Sequence, residues 1–173
     1  MTGVAGAETA AADFDALVRE HQSMVFSLAY HFLHDRAVAE EVAQEVFLSL
    51  HRNLETVQSA AHALFWLRQA TVRRAIDEIR RKRRRPEVAL EEAPALSVRI
   101  SGRDPMLGAV LRRMIAALPE DPRAVMILRY QEDLDPAEIA AVLDMPLSTV
   151  KSHLHRSLTV LREKLARRGV GEA

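Results

Sequence analysis

Apolar residues return at steps of three and four along almost the whole 173-residue chain, with few β-branched alternations, and this pattern predicts an all-α protein without strands. The first run carries Leu17, Met24, Val25, Leu28 and Phe32 and predicts a helix from an N-cap at Asp13 to His34 and Asp35. A second helix is expected over residues 37–54. After a loop from Glu55 to about Ala61, a long third helix carries "HALFWLRQATVRRAIDEIRRKRRR" and stops at Pro86. On the second helix Ala43, Val46, Phe47, Leu50 and Leu54 share one stripe, which leaves Leu48 outside it among Glu41, Gln44, Glu45 and Arg52. An apolar residue on such an acidic, polar face points to a partner.

The period lapses over residues 86–104, "PEVALEEAPALSVRISGRD", where two prolines and a glycine mark a linker that spans up to ~60 Å if extended at ~3.3 Å per residue. It resumes in helices expected at 106–118, 122–131, 136–143 and 148–167. Asp135-Pro136-Ala137-Glu138 has a capping carboxylate, proline at the first helical position and glutamate at the third, and Ser148 stands as the cap of the last helix. Two short helices with a turn of this length make a helix-turn-helix. Val150, Leu154, Leu158, Leu161 and Leu165 fall on one side of the last helix, and Thr149, Ser152 and Arg156 on the other, flanked by Lys151, His153 and His155. The expected organisation is a tail over 1–12, a module over 13–85, the linker over 86–104, a second module over 105–168 and a tail over 169–173, two small domains being what this length supports.

Charge sharpens the picture through its distribution. The 24 Lys and Arg balance the 24 Asp and Glu, which excludes a uniformly basic nucleic-acid coat. Yet the block Arg80-Arg81-Lys82-Arg83-Arg84-Arg85 follows a helix that already carries Arg68, Arg73 and Arg74, while Glu40, Glu41 and Glu45 sit on the helix before it. That separation predicts weak binding of the free protein to DNA, because the acidic surface repels phosphate. On the helix-turn-helix, Arg and Lys suit guanine edges or phosphates, Ser and Thr suit either, and free amides at the helix start suit a phosphate. Each phosphate neutralised adds about −0.9 to the salt slope.

Cysteine is absent, so no disulfide or thiolate metal site is available. No run reaches the ~18 apolar residues of a membrane span and no leader pattern opens the chain, so a cytoplasmic, nucleoid-associated protein without membrane insertion is expected. His31 and His34 have i, i+3 spacing but no third ligand in the sequence; with no phosphate loop, nucleophile motif or carboxylate pair, neither an enzyme nor a cofactor or metal site is expected.

With both modules in view, the chain resembles the bacterial sigma-70 family, in its compact extracytoplasmic-function group. "AEEVAQEVFLSLHRNL" is similar to the region that grips the polymerase clamp, "FWLRQATVRRAIDEIRRKRRR" to the helix that opens the minus-ten element, and "PAEIAAVLDMPLSTVKSHLHRSLTVLREKL" to the reader of the minus-thirty-five element. The resemblance implies an alternative sigma factor: region 2 in the first module, region 4 in the second. Its implied partners are core RNA polymerase, through the clamp coiled coil and flap, and promoter DNA, with an anti-sigma factor as a further partner open to the family. It implies polymerase contacts at Glu41, Gln44, Glu45, Leu48 and Arg52, and minus-ten contacts at His62, Trp66, Arg73, Arg74, Arg80, Arg81 and Arg84. Minus-thirty-five contacts are implied at Ser148, Thr149, Lys151, Ser152, His153, His155 and Arg156. The segment Glu55 to Ala63 matches the family's base-capturing loop in position, and the linker, with Glu87, Glu91 and Glu92, is implied to thread the polymerase cleft. The chain departs from the family at His51, where Trp is frequent, at Val72-Arg73 in place of Arg-Asn, at Asp144 in place of a turn glycine, and at His153 in place of Arg; Val72, Arg73 and His153 fall near the expected DNA surfaces. Two alternatives stand beside this reading: an autonomous helix-turn-helix regulator, which would need a dimer, and a helical adaptor or sigma mimic with a merely solvated basic face.

Overall fold

A computed structural model describes residues 3–84 and 105–167, with side chains from residues 14 and 108 onward in the two stretches. These residues form α1 (Gly3–Leu33), α2 (Arg36–Arg52), a 3₁₀ turn (Leu54–Thr56), α3 (Ala60–Arg84), α4 (Pro105–Ala116), α5 (Glu120–Gln131), α6 (Pro136–Leu143) and α7 (Leu147–Arg167), with no strand among them. Arg85, the linker with Pro86, Glu87, Glu91 and Glu92, and the tail 169–173 lie outside the described residues. Contacts divide the chain into two units, residues 1–87 and 88–173.

In the first unit α1, α2 and α3 pack pairwise. Their shared core joins Val25 and Ala29 of α1, Ala39, Val42, Val46 and Leu50 of α2, and Leu67 of α3. The centre of the α2 stripe is therefore rotated from the expected one: Ala39 and Val42 are buried, whereas Ala43, Phe47 and Leu54 lie half-buried at the margin of the core. Helix α1 starts ten residues before the expected N-cap. The alanine-rich run before Asp13 contains no breaker strong enough to stop it, so Asp13 lies inside the helix and residues 3–12 continue it.

The joint between α1 and α2 is set by two consecutive residues. His34 adopts a left-handed backbone (φ 52°) and its N–H donates to the Tyr30 carbonyl at 2.8 Å, closing α1. Asp35 then caps α2, its Oδ1 accepting the Val38 N–H at 3.2 Å, while Lys82 Nζ of α3 lies 3.3 Å from Oδ2. The Val38 N–H first, and then Lys82, hold the Asp35 carboxyl below the usual carboxylate range, against the opposing effect of partial burial. His34 thus lies just beyond the helix that carries His31, and among the described residues no cluster of three or more potential ligands could hold a metal ion.

The second unit is built around α5, buried from Arg123 to Leu128 and packed on α4, α6 and α7. Met114 and Leu118, Met126 of α5 and Leu161 of α7 form a core flanked by Leu154, Leu158 and Leu165, as the apolar stripe of the last helix predicts. Arg123 is buried with them, and its guanidinium donates to the Leu118 carbonyl at 3.1 Å just beyond the C-terminal end of α4.

Because the Asp35 pKa is lowered in the folded state, its contribution is present above the unfolded carboxylate value of about 3.9 and is lost as pH falls through the folded value. Asp35→Ala is expected to destabilise the first unit by about 1 kcal/mol at neutral pH, the gap to the unsubstituted chain closing below pH ~4. Urea titrations followed by Trp66, the single tryptophan, measure it, since that ring packs against the first core.

Candidate nucleic-acid interface

The helix-turn-helix is fixed by local chemistry at each joint. Asp135 Oδ1 accepts the Ala137 and Glu138 N–H groups at 2.7 and 2.8 Å, Glu138 Oε2 accepts the Asp135 N–H at 2.8 Å, and Pro136 occupies the first turn: a complete capping box. Helix α6 ends with the Met145 N–H on the Ala140 carbonyl and the Asp144 N–H on that of Ala141, which requires Asp144 to be left-handed (φ 51°, ψ 49°). Here the expected glycine position does carry the glycine conformation, at an aspartate. Helix α7 begins at Leu147, where the Pro146 carbonyl accepts the Thr149 and Val150 N–H groups at 2.9 and 3.1 Å. Ser148 therefore lies inside the first turn and is not the cap that its residue type predicts: the proline carbonyl starts the helix one residue earlier.

Along α7, Val150, Ser157 and Leu161 are buried. Ser148, Lys151, Ser152, His155 and Arg156 are exposed, and Thr149 and His153 half-buried. Lys151 and Arg156 make no ion pair with any described residue, so both cations are open to a ligand.

In the first unit, Glu41, Gln44, Glu45, Leu48 and Arg52 are all exposed on α2, within an arc of about 100° at ~100° per residue. Leu48 is 57% exposed, the most exposed large apolar side chain among the described residues. With Gln44 it borders a groove of about 660 Å³ between α1 and α2, where Phe14, Val18, Phe26 and Phe47 supply the apolar walls. His51, at the position where Trp is frequent, packs its ring edge-on against Phe14 with centroids 4.9 Å apart. The α1 side of this groove was not legible in the sequence; the i, i+4, i+12 spacing of Phe14, Val18 and Phe26 is a signal, but one shared with any buried stripe.

The basic helix is less bare than its sequence suggests. Arg74 donates directly to Glu45 of α2, Arg81 lies 2.9 Å from Glu78, Lys82 pairs with Asp35, and Arg80 lies 3.9 Å from Asp77. Glu40, in turn, pairs with Arg36 at 2.9 Å. The expected separation of acidic and basic faces is thus incomplete, because α2 and α3 are neighbours and opposite charges on their facing edges meet. Arg73 and Arg84 are exposed, and Arg73 has no ion partner among the described residues. Val72 does not lie on this surface: it is 2% exposed and belongs to the core.

The loop before α3 is tied at both ends. Thr56 Oγ1 donates to the Asn53 carbonyl at 2.7 Å, and Ser59 Oγ accepts the His62 N–H at 3.1 Å. His62 Nδ1 accepts the Gln58 N–H at 3.3 Å, so this half-buried ring holds the loop. A hollow of about 360 Å³ lies between Leu17 and Glu20 of α1 and Leu54, Val57, Gln58 and Ser59 of the loop. Trp66 sits half-buried against the core below.

A three-helix bundle in one unit and a helix-turn-helix with an open cationic face in the other define an all-helical protein of the helix-turn-helix class. Residues 17–85 match the model of sigma-70 region 2, and residues 109–161 that of sigma-70 region 4. The chain is 31% identical to the RNA polymerase sigma-H factor of Pseudomonas aeruginosa, over 88% of this chain and 86% of that protein. It is 32% identical to the ECF RNA polymerase sigma factor SigE of Mycolicibacterium smegmatis over 94% of its own length, and spans 65% of that protein. The sigma factor RpoE of Bartonella quintana, solved in complex with the anti-sigma factor NepR, shares the fold: TM-score 0.67 at 17% identity, covering 89% of this chain and 97% of that one. The chain is also 30% identical to the ECF RNA polymerase sigma-E factor of Escherichia coli, over 88% of this chain and 86% of that protein, and it belongs to the sigma-70 family, among its extracytoplasmic-function (ECF) members.

Asp144→Gly is expected to raise the stability of the second unit by about 0.5 kcal/mol, since glycine takes the left-handed conformation without the Cβ penalty; thermal denaturation by circular dichroism reads the shift. Lys151→Ala and Arg156→Ala should each lower the slope of log affinity against log salt for duplex DNA by about 0.9 for every phosphate no longer neutralised, measured by fluorescence anisotropy.

Proposed function

We infer that the chain is an alternative sigma factor that binds core RNA polymerase, directs it to promoters and assists their opening, the chemistry of RNA synthesis remaining with the polymerase. Leu48 carries this reading. An exposed leucine at the centre of an acidic helix face, beside an apolar groove, is a surface that a protein partner would cover, and DNA binding by itself gives it no role. The sigma-factor names of its relatives support polymerase as that partner; the family resemblance of the α2 segment implies the clamp coiled coil on that face and the flap as the contact of the second unit.

In this reading Glu41, Gln44, Glu45, Leu48 and Arg52 meet the polymerase. Arg73, Arg74, Arg80, Arg81 and Arg84 follow the phosphates of the minus-ten element, with Trp66 and His62 supporting the loop that receives an unstacked base. Ser148, Thr149, Lys151, Ser152, His153, His155 and Arg156 read the minus-thirty-five element from the major groove. Opening DNA without hydrolysing a nucleotide draws on binding energy, and capture of an unstacked base returns about 1–3 kcal/mol per stacked or pocketed base. The working place of such a protein is the cytoplasm, on the nucleoid. No helix among the described residues is long and apolar enough to cross a membrane. An anti-sigma factor, present in the Bartonella quintana complex, is a fitting regulator.

Leu48→Glu is expected to weaken binding to core polymerase by about tenfold or more, by placing a charge where an apolar contact is buried, while leaving the urea midpoint of the first unit unchanged. Fluorescence titration with core polymerase decides it. Undiminished binding, or duplex DNA bound tightly with no polymerase binding at all, overturns the reading.

A further inference from the structure

Glu45 stands at the edge of the α2 face nearest α3. At ~100° per residue, Gln44 and Leu48 border the α1 groove while Glu45 lies at the other edge of the same face, about 60° round from Leu48, and meets Arg74. Both members of this pair are accessible, with side chains 57% and 42% exposed, and they come from surfaces with different partners. One carboxylate therefore serves two claims: an intramolecular cation, and whatever polymerase group faces α2. Next to it, Arg73 carries no such restraint.

We propose that the Glu45–Arg74 ion pair is an exchangeable lock that couples polymerase binding to DNA binding. In the free protein Glu45 occupies Arg74 and cancels its attraction for phosphate. Engagement of Glu45 by polymerase releases Arg74, which then takes a phosphate of the promoter strand. The proposal rests on the reading that α2 meets polymerase and α3 meets DNA, and adds a specific linkage between them. By reciprocity the factor by which polymerase improves DNA binding through this pair equals the factor by which DNA improves polymerase binding. Exposed ion pairs of this kind bring factors of about two to five, not orders of magnitude.

The pair is suited to this use because it is weak and lies on the surface. Exchange of one exposed counter-ion for another breaks no core contact, and Glu45 and Arg74 project from helices whose buried residues, Val46 and Ala75, stay in place. Glu41 supplies the internal control, since it is a carboxylate on the same α2 face with no ion partner among the described residues.

A double-mutant cycle on the full chain tests it, reading anisotropy of a labelled single-stranded oligothymidylate at low salt, with and without saturating core polymerase. Glu45→Gln is expected to raise the affinity of the free protein about two- to fivefold, and to do so only when Arg74 is present, so that Glu45→Gln/Arg74→Gln binds like Arg74→Gln alone. In the polymerase complex the coupling between positions 45 and 74 should fall to about onefold. An equal gain from Glu41→Gln, or no coupling in the free protein, overturns the lock in favour of diffuse charge repulsion. Coupling that persists in the complex overturns it too, since Glu45 would then never leave Arg74. These outcomes leave the sigma-factor reading intact; failure of the unsubstituted chain to bind core polymerase removes both.

Discussion

The burial of one side of α2 governs what the first unit can present. Ala39, Val42, Val46 and Leu50 are locked between α1 and α3, and full burial of a valine or leucine is worth about 1.5–3 kcal/mol each, more than any surface charge in the unit contributes. Helix geometry then leaves no freedom: with that side inward, Glu41, Gln44, Glu45, Leu48 and Arg52 must point out, and the neighbours on either flank are fixed as well. The groove beside Leu48 and the contact between Glu45 and Arg74 are two consequences of one packing choice. A rotation of α2 by a single residue position would bury charge and expose the core stripe together.

The second unit obeys the same logic with a different centre. Helix α5 is buried almost all round, so the paired helices α6 and α7 lean on a rigid support, and the capping box and left-handed Asp144 fix the angle at which α7 leaves it. Ser148, Lys151, Ser152, His155 and Arg156 stay in solvent, while their apolar counterparts Val150 and Leu161 hold the helix in place. Division of labour by helix face recurs in both units.

The all-helical fold, the second-unit helices and the capping box at Asp135 were legible from the sequence because they depend on local spacing and residue type. Leu48 was legible for the same reason: it breaks a stripe. What failed was contact between distant elements and competition at helix ends. Nothing local announces that Arg74 meets Glu45, 29 positions away, so the charge separation was overdrawn. Ser148 has a capping residue's chemistry but loses to the Pro146 carbonyl, Asp13 loses to an alanine-rich run that simply continues the helix, and Val72 faces inward because α3 is packed on two neighbours. The candidate site residues divide along this line: the exposure of Glu41, Gln44, Glu45, Leu48 and Arg52 on one helix face was readable, and the pairing of Glu45 with Arg74 was not.

The loop before α3 also constrains the imidazole that ties it. Since Nδ1 of His62 accepts the Gln58 N–H, the ring is in the tautomer whose proton sits on Nε2. Toward any ligand the side chain is then a hydrogen-bond donor and never an acceptor. Whatever comes to that edge of the loop must bring an oxygen or nitrogen lone pair, a property that phosphate oxygens and the carbonyl or ring-nitrogen edges of bases have and exocyclic amines lack.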